Sequence, residues 1–329
     1  MNISSRWGRY LAVSIFSGLI ITATALPALA SSEGSFQRTL QVSGPVNLDV
    51  QTGSGDIQIH GGSSGQVQVN ARIKVSNWFG SDNDERVRRI EQNPPIQQSG
   101  NDIRIGHIDD PDLRHNISIS YDISVPADSQ VHAHSGSGEQ RISGVTGGVE
   151  VDAGSGDLKI DNVGGRVRAH TGSGAITLDH VQGSVHAEAG SGDIRGNDIA
   201  GGFEAHTGSG QIEVSQSAPG AVSVETGSGN VEVRGIRGSL DASTGSGDVR
   251  VEGEPTGGWT IHTSSGGVQL KIGSGTGFDV DARTSSGSIS TTQSVAVQGS
   301  MGHKELRGKV NGGGVPVTIR TSSGDIEIQ

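Results

Sequence analysis

Apolar and polar residues alternate along most of this chain in short runs that recur every 18 or 19 residues. Polar residues separate the apolar positions of each run, which is the period-two pattern of a half-buried strand. The first apolar column consists of Val131, Val149, Val167, Val185, Phe203, Val222, Leu240 and Trp259, and the second of Ala133, Val151, Ala169, Ala187, Ala205, Val224, Ala242 and Ile261. We predict that both columns point into a core.

A Gly-Ser-Gly turn or a close variant ends each run. Its closing glycines are Gly138, Gly156, Gly174, Gly192, Gly210, Gly229, Gly247 and Gly266. A second short strand follows, with apolar pairs such as Leu158 and Ile160, and then a third apolar position such as Val163, so that each unit has three inward-facing segments. One unit cannot bury these residues alone, which predicts an all-β fold, a parallel β-solenoid (β-helix-like) with coils of about 18 residues. About eleven coils at ~4.8 Å per strand give a rod on the order of 50 Å long.

The pattern divides the chain after residue 30 into three parts. Residues 31–130 are predicted to form an N-terminal cap with the first irregular coils, residues 131–290 the regular solenoid, and residues 291–329 a closing segment with the last strand. In the cap, SDNDERVRRIEQNPP predicts a short helix with Ser81 or Asp82 as N-cap and Val87 and Ile90 on one face. The segment NISISYDISVPADSQV predicts a pair of strands.

The sequence ends on the strand DIEIQ, which suggests an open sheet edge at the C-terminus. An open edge invites pairing with another chain. We therefore expect residues 291–316 or a partner to cover this strand, and edge-to-edge self-association is a further possibility.

Residues 1–30 have the features of a signal peptide. Arg6 and Arg9 precede the apolar run LAVSIFSGLIITATA, and a small-residue cleavage pattern ends at Ala30. The mature chain is therefore expected outside the cytoplasm (in the periplasm, at the cell surface or secreted), without a membrane span. The chain has no Cys, which excludes a disulfide.

Net charge argues against some partners. Without the two arginines of the leader, the formal net charge falls from −11 to −13. A broadly acidic surface opposes binding to nucleic acid and to anionic lipid head groups.

One outward column alternates imidazoles and acids two residues before each turn. It consists of His134, Asp152, His170, Glu188, His206, Glu225, Ser243 and His262, and we call it the ladder. A coil of two repeats would stack acid on acid, which is unfavourable, so the 18-residue coil is preferred. The ladder predicts a solvated face whose charges avoid like-charge stacking. The sharper hypothesis is a surface site for Zn²⁺ or a similar divalent ion, or a pH-sensitive binding stripe that His132 and His186 could enlarge.

Several turns are followed by aspartate, at Asp56, Asp157, Asp193, Asp248 and Asp325. Aspartate in glycine-rich repeats is also typical of calcium-binding repeat toxins. Here Ala175 and Gln211 occupy the same position in other repeats, and a repeated ligand should not be so freely replaced. Calcium in the turns is therefore disfavoured, and no cofactor and no catalytic residue is predicted.

The segments SYDISVPADSQVHAHSGSGEQ and LRGKVNGGGVPVTIRTSSGDIEI, with the repeated turns between them, resemble the bacterial "putative adhesin" family of β-strand-repeat proteins, a domain of unknown function. The resemblance covers essentially the whole mature chain. It implies a solenoid that is exported or displayed at the cell envelope, and it transfers no catalytic residue.

The predicted function is a non-catalytic, adhesin-like scaffold that contacts an unknown protein or polysaccharide of the envelope or of a surface. The first alternative is a polysaccharide-active β-helix enzyme, a lyase or hydrolase, because fold alone does not exclude one. The mature chain has only Trp78 and Trp259 as tryptophan platforms for sugar rings. The second alternative is an envelope sensor or regulator partnered with a membrane protein, which a bare C-terminal strand would suit.

Overall fold

The computed structural model describes residues 31–62, 65–76 and 82–329. The predicted leader, residues 1–30, and Ser81 as N-cap lie outside the described residues. The described chain forms two long β-sheets of 14 and 15 strands that enclose one hydrophobic core. Within this part of the chain, twelve strands of each sheet run parallel, which is one more coil than the sequence suggested.

The N-terminal part contains irregular strands and the helices of the described chain. Its elements are β1 (Ser31–Gln41), β2 (Asn47–Ser54), β3 (Ile57–Gly61), β4 (Gln66–Ser76), α1 (Asn83–Gln92), β5 (Ile96–Ser99), β6 (Asp102–Ile105), a short 3-10 helix (Pro111–Leu113) and β7 (Ile117–Val125). The predicted helix is confirmed, with Asp82 at its N-cap position and Val87 and Ile90 buried. The first strand of the predicted pair is β7.

The central part alternates longer strands of the 15-stranded sheet with shorter strands of the 14-stranded sheet. These are β8 (Gln130–Ser137), β9 (Gln140–Ser143), β10 (Val149–Ser155), β11 (Leu158–Val163), β12 (Val167–Ser173), β13 (Ile176–Val181), β14 (Val185–Ser191), β15 (Ile194–Ile199), β16 (Phe203–Ser209), β17 (Ile212–Gln216), β18 (Val222–Ser228), β19 (Val231–Ile236), β20 (Leu240–Ser246), β21 (Val249–Gly253), β22 (Trp259–Ser265) and β23 (Val268–Ile272). The C-terminal part contains β24 (Phe278–Ser286), β25 (Ile289–Thr291), β26 (Val295–Gly302), β27 (Glu305–Val310), β28 (Val315–Ser323) and β29 (Ile326–Ile328).

The register confirms the 18-residue coil. Val149 pairs with Val131 on one side and with Val167 on the other, so equivalent residues of successive repeats stack directly. Both predicted apolar columns are buried. The third apolar position of the unit faces inward as predicted, since Val163 is buried, but it belongs to the second strand, β11, and does not begin a strand of its own. Within β11 the backbone bends at Asn162, the residue before Val163, where φ is 55°.

The Gly-Ser-Gly turn is shaped by the coil beneath it. At Gly210 the backbone has φ +154°, and a Cβ atom would lie 2.1 Å from the carbonyl oxygen of Gly192. The threonine before the turn is buried, and the hydroxyl of Thr207 donates to that same carbonyl at 3.0 Å. The equivalent threonines of the other turns also donate to carbonyl oxygens one coil away, for example Thr171 to Gly156 and Thr226 to Gly210.

The order of coils at the C-terminal end differs from their order in the sequence. Strand β28 lies between β22 and β24, and β29 lies between β23 and β25. The last coil is thus inserted into the stack, and the prediction of an open edge at the C-terminal strand is wrong. Strand β29 (Ile326–Ile328) is paired on both sides, so it has no free edge through which two molecules could associate. Strands β27 and β26 extend the 15-stranded sheet beyond β24 as an antiparallel pair.

The N-terminal end is closed by the predicted cap. Strands β6 and β7 form the outermost parallel coil. Strand β4 continues the 14-stranded sheet antiparallel to β7, and β1 follows antiparallel to β4. Helix α1 lies against β1, where the carboxylate of Glu91 accepts a hydrogen bond from the Ser35 amide at 2.8 Å. That amide belongs to the edge strand, so the helix covers part of the edge. Among the described residues, no helix is long and apolar enough to cross a membrane.

Candidate interaction surface

The outer face of the 15-stranded sheet carries two columns of polar side chains. The ladder is one of them, and the neighbouring column contains Asp49, His132, Glu150, Arg168, His186, Glu204, Ser223 and Asp241. We call the two columns, from β2 to β20, the charged face. Because the strands are in register, side chains of one column follow each other at about 4.8 Å. The register confirms that imidazoles and acids alternate along the ladder.

The centre of the charged face is a continuous series of ion pairs that crosses between the columns. Glu188 contacts two imidazoles, with 3.6 Å to His170 Nδ1 and 2.9 Å to His186 Nε2. The other nitrogen of His186 lies 3.0 Å from the Glu204 carboxylate. His206 then contacts Glu204 at 3.5 Å, and its Nδ1 contacts Glu225 at 3.5 Å. Each inner carboxylate of this series therefore pairs with two imidazoles.

Glu204 is the member of the series whose titration is most clearly affected. The hydrogen bond from His186 is the largest of the effects that hold the pKa of its carboxyl below the usual value; burial opposes it, and the hydrogen bond from His206 adds to the lowering. The rings of His186 and His206 meet edge to face, with centroids 6.5 Å apart. The carboxylate thus sits between two imidazoles that pack on each other, which favours its charged form.

The structure separates the ladder into paired and unpaired members. His134 and Asp152 lie opposite each other, and His262 lies opposite Ser243 and Arg320, but within the described part of the chain no ion pair joins these side chains. A second group of pairs surrounds Glu150, which contacts His132 at 3.3 Å and Arg168 at 4.0 Å. Sequence reasoning missed Glu204, although its position one residue after the Phe203 core column could have indicated it.

The metal hypothesis remains a prediction. Across residues 31–62, 65–76 and 82–329, no group of three or more His, Cys, Asp or Glu side chains is placed to hold one metal ion. In the centre of the charged face, carboxylates and imidazoles contact each other. Titration of the mature protein with Zn²⁺ tests the hypothesis directly.

The aspartates after the turns have a structural role that the sequence did not reveal. The carboxylate of Asp193 accepts a hydrogen bond from the backbone N–H of Gln211, its counterpart in the next coil, at 2.9 Å. Asp56, Asp157, Asp248 and Asp325 accept equivalent bonds, and so does the side-chain oxygen of Asn230. Each of these side chains satisfies a backbone amide at a corner. This explains why the next residue in the column need not be aspartate.

We expect Asp193→Ala to destabilise the protein by about 1 kcal/mol, because the Gln211 amide loses its acceptor. Asp193→Asn keeps an acceptor, as Asn230 does in its own coil, and should cost much less. The Gln211 amide, followed by Arg195, holds the pKa of Asp193 below its usual value. Its contribution is therefore complete above the ordinary carboxyl pKa and is lost as the pH falls through the lowered folded-state pKa. Urea unfolding at neutral pH and near pH 3 measures both effects, and equal destabilisation by both substitutions would contradict this role.

The family of the chain follows from a match over nearly its whole length. The family model described as Toastrack DUF4097 matches residues 21–200 and residues 185–329. The chain belongs to the Toastrack DUF4097 family. The resemblance to a β-strand-repeat family of unknown function is thereby confirmed, and so is the all-β solenoid fold. No curated protein sequence matches this Toastrack DUF4097 chain.

Three solved structures are similar to this Toastrack DUF4097 chain. A "putative cell adhesion protein" from Clostridium sporogenes is 13% identical, with a TM-score of 0.25 and coverage of 90% of this chain and 99% of the other. A "putative lipid binding protein" from Parabacteroides distasonis is 12% identical, with a TM-score of 0.41 and coverage of 90% and 97%. A "putative adhesin" from Bacteroides fragilis is 13% identical, with a TM-score of 0.34 and coverage of 91% and 98%. None of these descriptions names an enzymatic activity.

Proposed function

We propose that this protein is a non-catalytic, exported interaction scaffold of the adhesin type, which binds a basic component of the cell envelope or of an opposing surface. The observation that carries the proposal is the charged face, where imidazoles and carboxylates are held in register along a regular sheet. Export rests on the features of residues 1–30. The partner therefore belongs to the periplasm, the cell surface or the surroundings.

The charged face contributes little to folding. Its side chains are largely exposed, with His170 at 52% and Glu225 at 66%. Exposed ion pairs contribute about 0–1 kcal/mol each, and the core beneath them is complete without them. These charges are consequently available to a partner, while the solenoid supplies a regular spacing that a flexible loop would not.

The charge of the face selects the partner. Its two columns contain seven carboxylates (Asp49, Glu150, Asp152, Glu188, Glu204, Glu225 and Asp241), the cation Arg168, and the imidazoles His132, His134, His170, His186 and His206. With neutral imidazoles the net charge is −6, and with all five protonated it is −1. A partner with Lys, Arg or amino groups is favoured at neutral pH and loses attraction as the imidazoles become charged.

The structure changes the support for the two alternatives. The sensor alternative relied on a bare C-terminal strand, and that strand is paired on both sides. The enzyme alternative calls for acids that face each other across a groove. At the centre of the charged face the carboxylates are separated by imidazoles along a regular sheet.

We expect the triple variant Glu188→Gln, Glu204→Gln, Glu225→Gln to bind the partner at least tenfold more weakly than the wild type, because it halves the charge of the face. Affinity capture from envelope extracts with the mature chain, followed by quantification of each captured component, measures this.

The matched control neutralises three glutamates on the opposite sheet, in the variant Glu213→Gln, Glu232→Gln, Glu252→Gln. These side chains pair with Arg234 and Lys271 and lie on the outer face of the 14-stranded sheet. The control should capture the same components as the wild type. If both triple variants capture equally well, the charged face is not the binding surface.

A further inference from the structure

A half-open cavity of about 260 Å³ lies at the N-terminal end of the charged face. It is bounded by residues 106–114, which connect β6 to β7, and by the end of β2. Its walls include Gln51, Gly106, His107, Asp109, Arg114 and Tyr121 on the polar side, and Ile108, Leu113, Ile117 and Ile119 on the apolar side. Helix α1 anchors the covering segment, because Arg89 pairs with Asp110 and Arg86 donates to the carbonyl of His115. The cavity is thus formed by contacts within the folded chain.

Tyr121 gives the cavity an unsatisfied hydrogen-bonding group. The residue is 2% exposed, and across the described parts of the chain its hydroxyl has no hydrogen-bond partner. The aromatic ring of Tyr121 packs edge to face on Phe36, so the apolar part of the side chain has a packing partner. Burial raises the pKa of the hydroxyl, which stays protonated and able to donate. A phenylalanine would fill this core position without leaving a buried polar atom unpaired.

Gly106 keeps the space at the hydroxyl open. A Cβ atom at this position would lie 3.3 Å from the Tyr121 hydroxyl oxygen and 1.7 Å from the carbonyl oxygen of Gln51. Gly106 has φ +86°, a conformation that side chains rarely adopt. The Gly106 backbone therefore approaches the Tyr121 hydroxyl closely, and both residues line the cavity.

The other polar groups define what the cavity can bind. Arg114 uses Nε to bond the carbonyl of Ile108, so its terminal nitrogens remain available at the rim. The Nε2 atom of the His107 imidazole lies 3.5 Å from the Asp49 carboxylate. Asp109 adds an acceptor to this set of donors. Donors next to one carboxylate suit a ligand that carries both an acid group and hydroxyl groups.

We propose that this cavity binds a small hydroxycarboxylate, such as a sugar acid. The ligand's carboxylate would accept from Tyr121 and Arg114, its hydroxyls would donate to Asp109, and its carbon skeleton would lie on the isoleucine and leucine side chains. The volume is just below the ~300 Å³ at which pockets for larger ligands begin, so it admits a single small molecule. The site does not depend on the partner proposed above.

Glucuronate, gluconate and lactate are the probes, with glucose and hexanoate as controls that lack the carboxylate or the hydroxyls. Saturation-transfer NMR and calorimetry on the mature chain should show binding of at least one hydroxycarboxylate, at least tenfold tighter than either control. Binding of none of the three would overturn the proposal. Preference for hexanoate or glucose would overturn the ligand class.

Tyr121→Phe removes only the hydroxyl, and we expect at least a tenfold loss of affinity with no loss of thermal stability in the absence of ligand. Arg114→Gln should weaken binding similarly, whereas Arg104→Gln, on the exposed side of β6 and not part of the cavity lining, should not. Unchanged affinity in Tyr121→Phe would show that the hydroxyl is not a ligand-binding group. The triple variants of the charged face and of the opposite sheet should bind the probe like the wild type, so failure of one proposal is distinguishable from failure of the other.

Discussion

Trp259→Ala should lower the free energy of unfolding by about 3–5 kcal/mol, the usual cost of truncating a fully buried aromatic side chain. Trp259 is 1% exposed and is among the largest buried side chains of the described core. Its indole N–H donates to the carbonyl of Gly238 at 2.9 Å, so the substitution also removes this hydrogen bond, although the carbonyl keeps the Gly257 N–H as a donor at 3.2 Å. In a core that is poor in aromatic residues, the surrounding small side chains have little capacity to fill the space.

The position of Trp259 makes this substitution a test of the coil order. Trp259 pairs with Leu240 in β20 on one side and with Val317 in β28 on the other. We therefore expect hydrogen exchange in residues 315–323 to accelerate more than exchange in residues 131–191. Trp259→Phe keeps most of the ring and should cost about 1–2 kcal/mol, mainly through the lost hydrogen bond. Equal acceleration along the whole chain would mean that the solenoid unfolds as one unit and that the insertion does not localise the effect.

The regular coils were predictable because one local pattern is repeated many times. Val131 and Ala133 alternate with His132 and His134, which predicts a strand and the side to which each residue points. The same alternation returns at a fixed interval, which predicts the register between strands. The insertion of the last coil was not predictable in this way. The segment VPVTIRTSSGDIEI has the pattern of any other coil, and its neighbours are determined by long-range pairing.

The candidate surface was predictable only in part. The alternation along the ladder follows from the period, and the structure confirms it. The pairs between columns, such as His186 with Glu188, were missed because the sequence was interpreted one column at a time, whereas residues two apart on one strand face the same side. The Tyr121 cavity gave no sequence signal, since it depends on how residues 106–114 fold over a strand from a distant part of the chain.

The turns require glycine for two reasons, one in the local backbone conformation and one in the stacking of successive coils. The local part is the left-handed backbone of the closing glycine, as at Gly210. The stacking part is a carbonyl oxygen of the preceding coil close to the Cβ position of each glycine: that of Gly190 for Gly208 and that of Gly192 for Gly210. Thr207 donates to the Gly192 carbonyl, so this one oxygen atom both restricts the closing glycine of the next turn and accepts a hydrogen bond from that turn's threonine. Such a turn is favourable only when another coil lies beneath it.

Gly210→Ala should therefore destabilise the protein by about 3 kcal/mol or more, because backbone strain and a clash with the Gly192 carbonyl add together. Gly208→Ala lacks the positive φ but places a Cβ atom 2.6 Å from the Gly190 carbonyl, and should cost about 1–3 kcal/mol. Gly53→Ala is the matched control, since Gly53 is the first glycine of the same Thr-Gly-Ser-Gly sequence and has no atom within 4 Å of a Cβ position. The coil before it, formed by β6 and β7, contains no such turn.

Chemical denaturation of the three variants, with hydrogen exchange as a local probe, separates the two causes. Gly53→Ala should stay within about 0.5 kcal/mol of the wild type, as is usual for an exposed substitution without a clash. The difference between Gly208→Ala and Gly53→Ala then measures the effect of the stacked carbonyl, and the further difference to Gly210→Ala measures mainly the backbone conformation. Equal losses in Gly53→Ala and Gly208→Ala would contradict the stacking explanation, because the two positions differ chiefly in whether an equivalent turn lies beneath them.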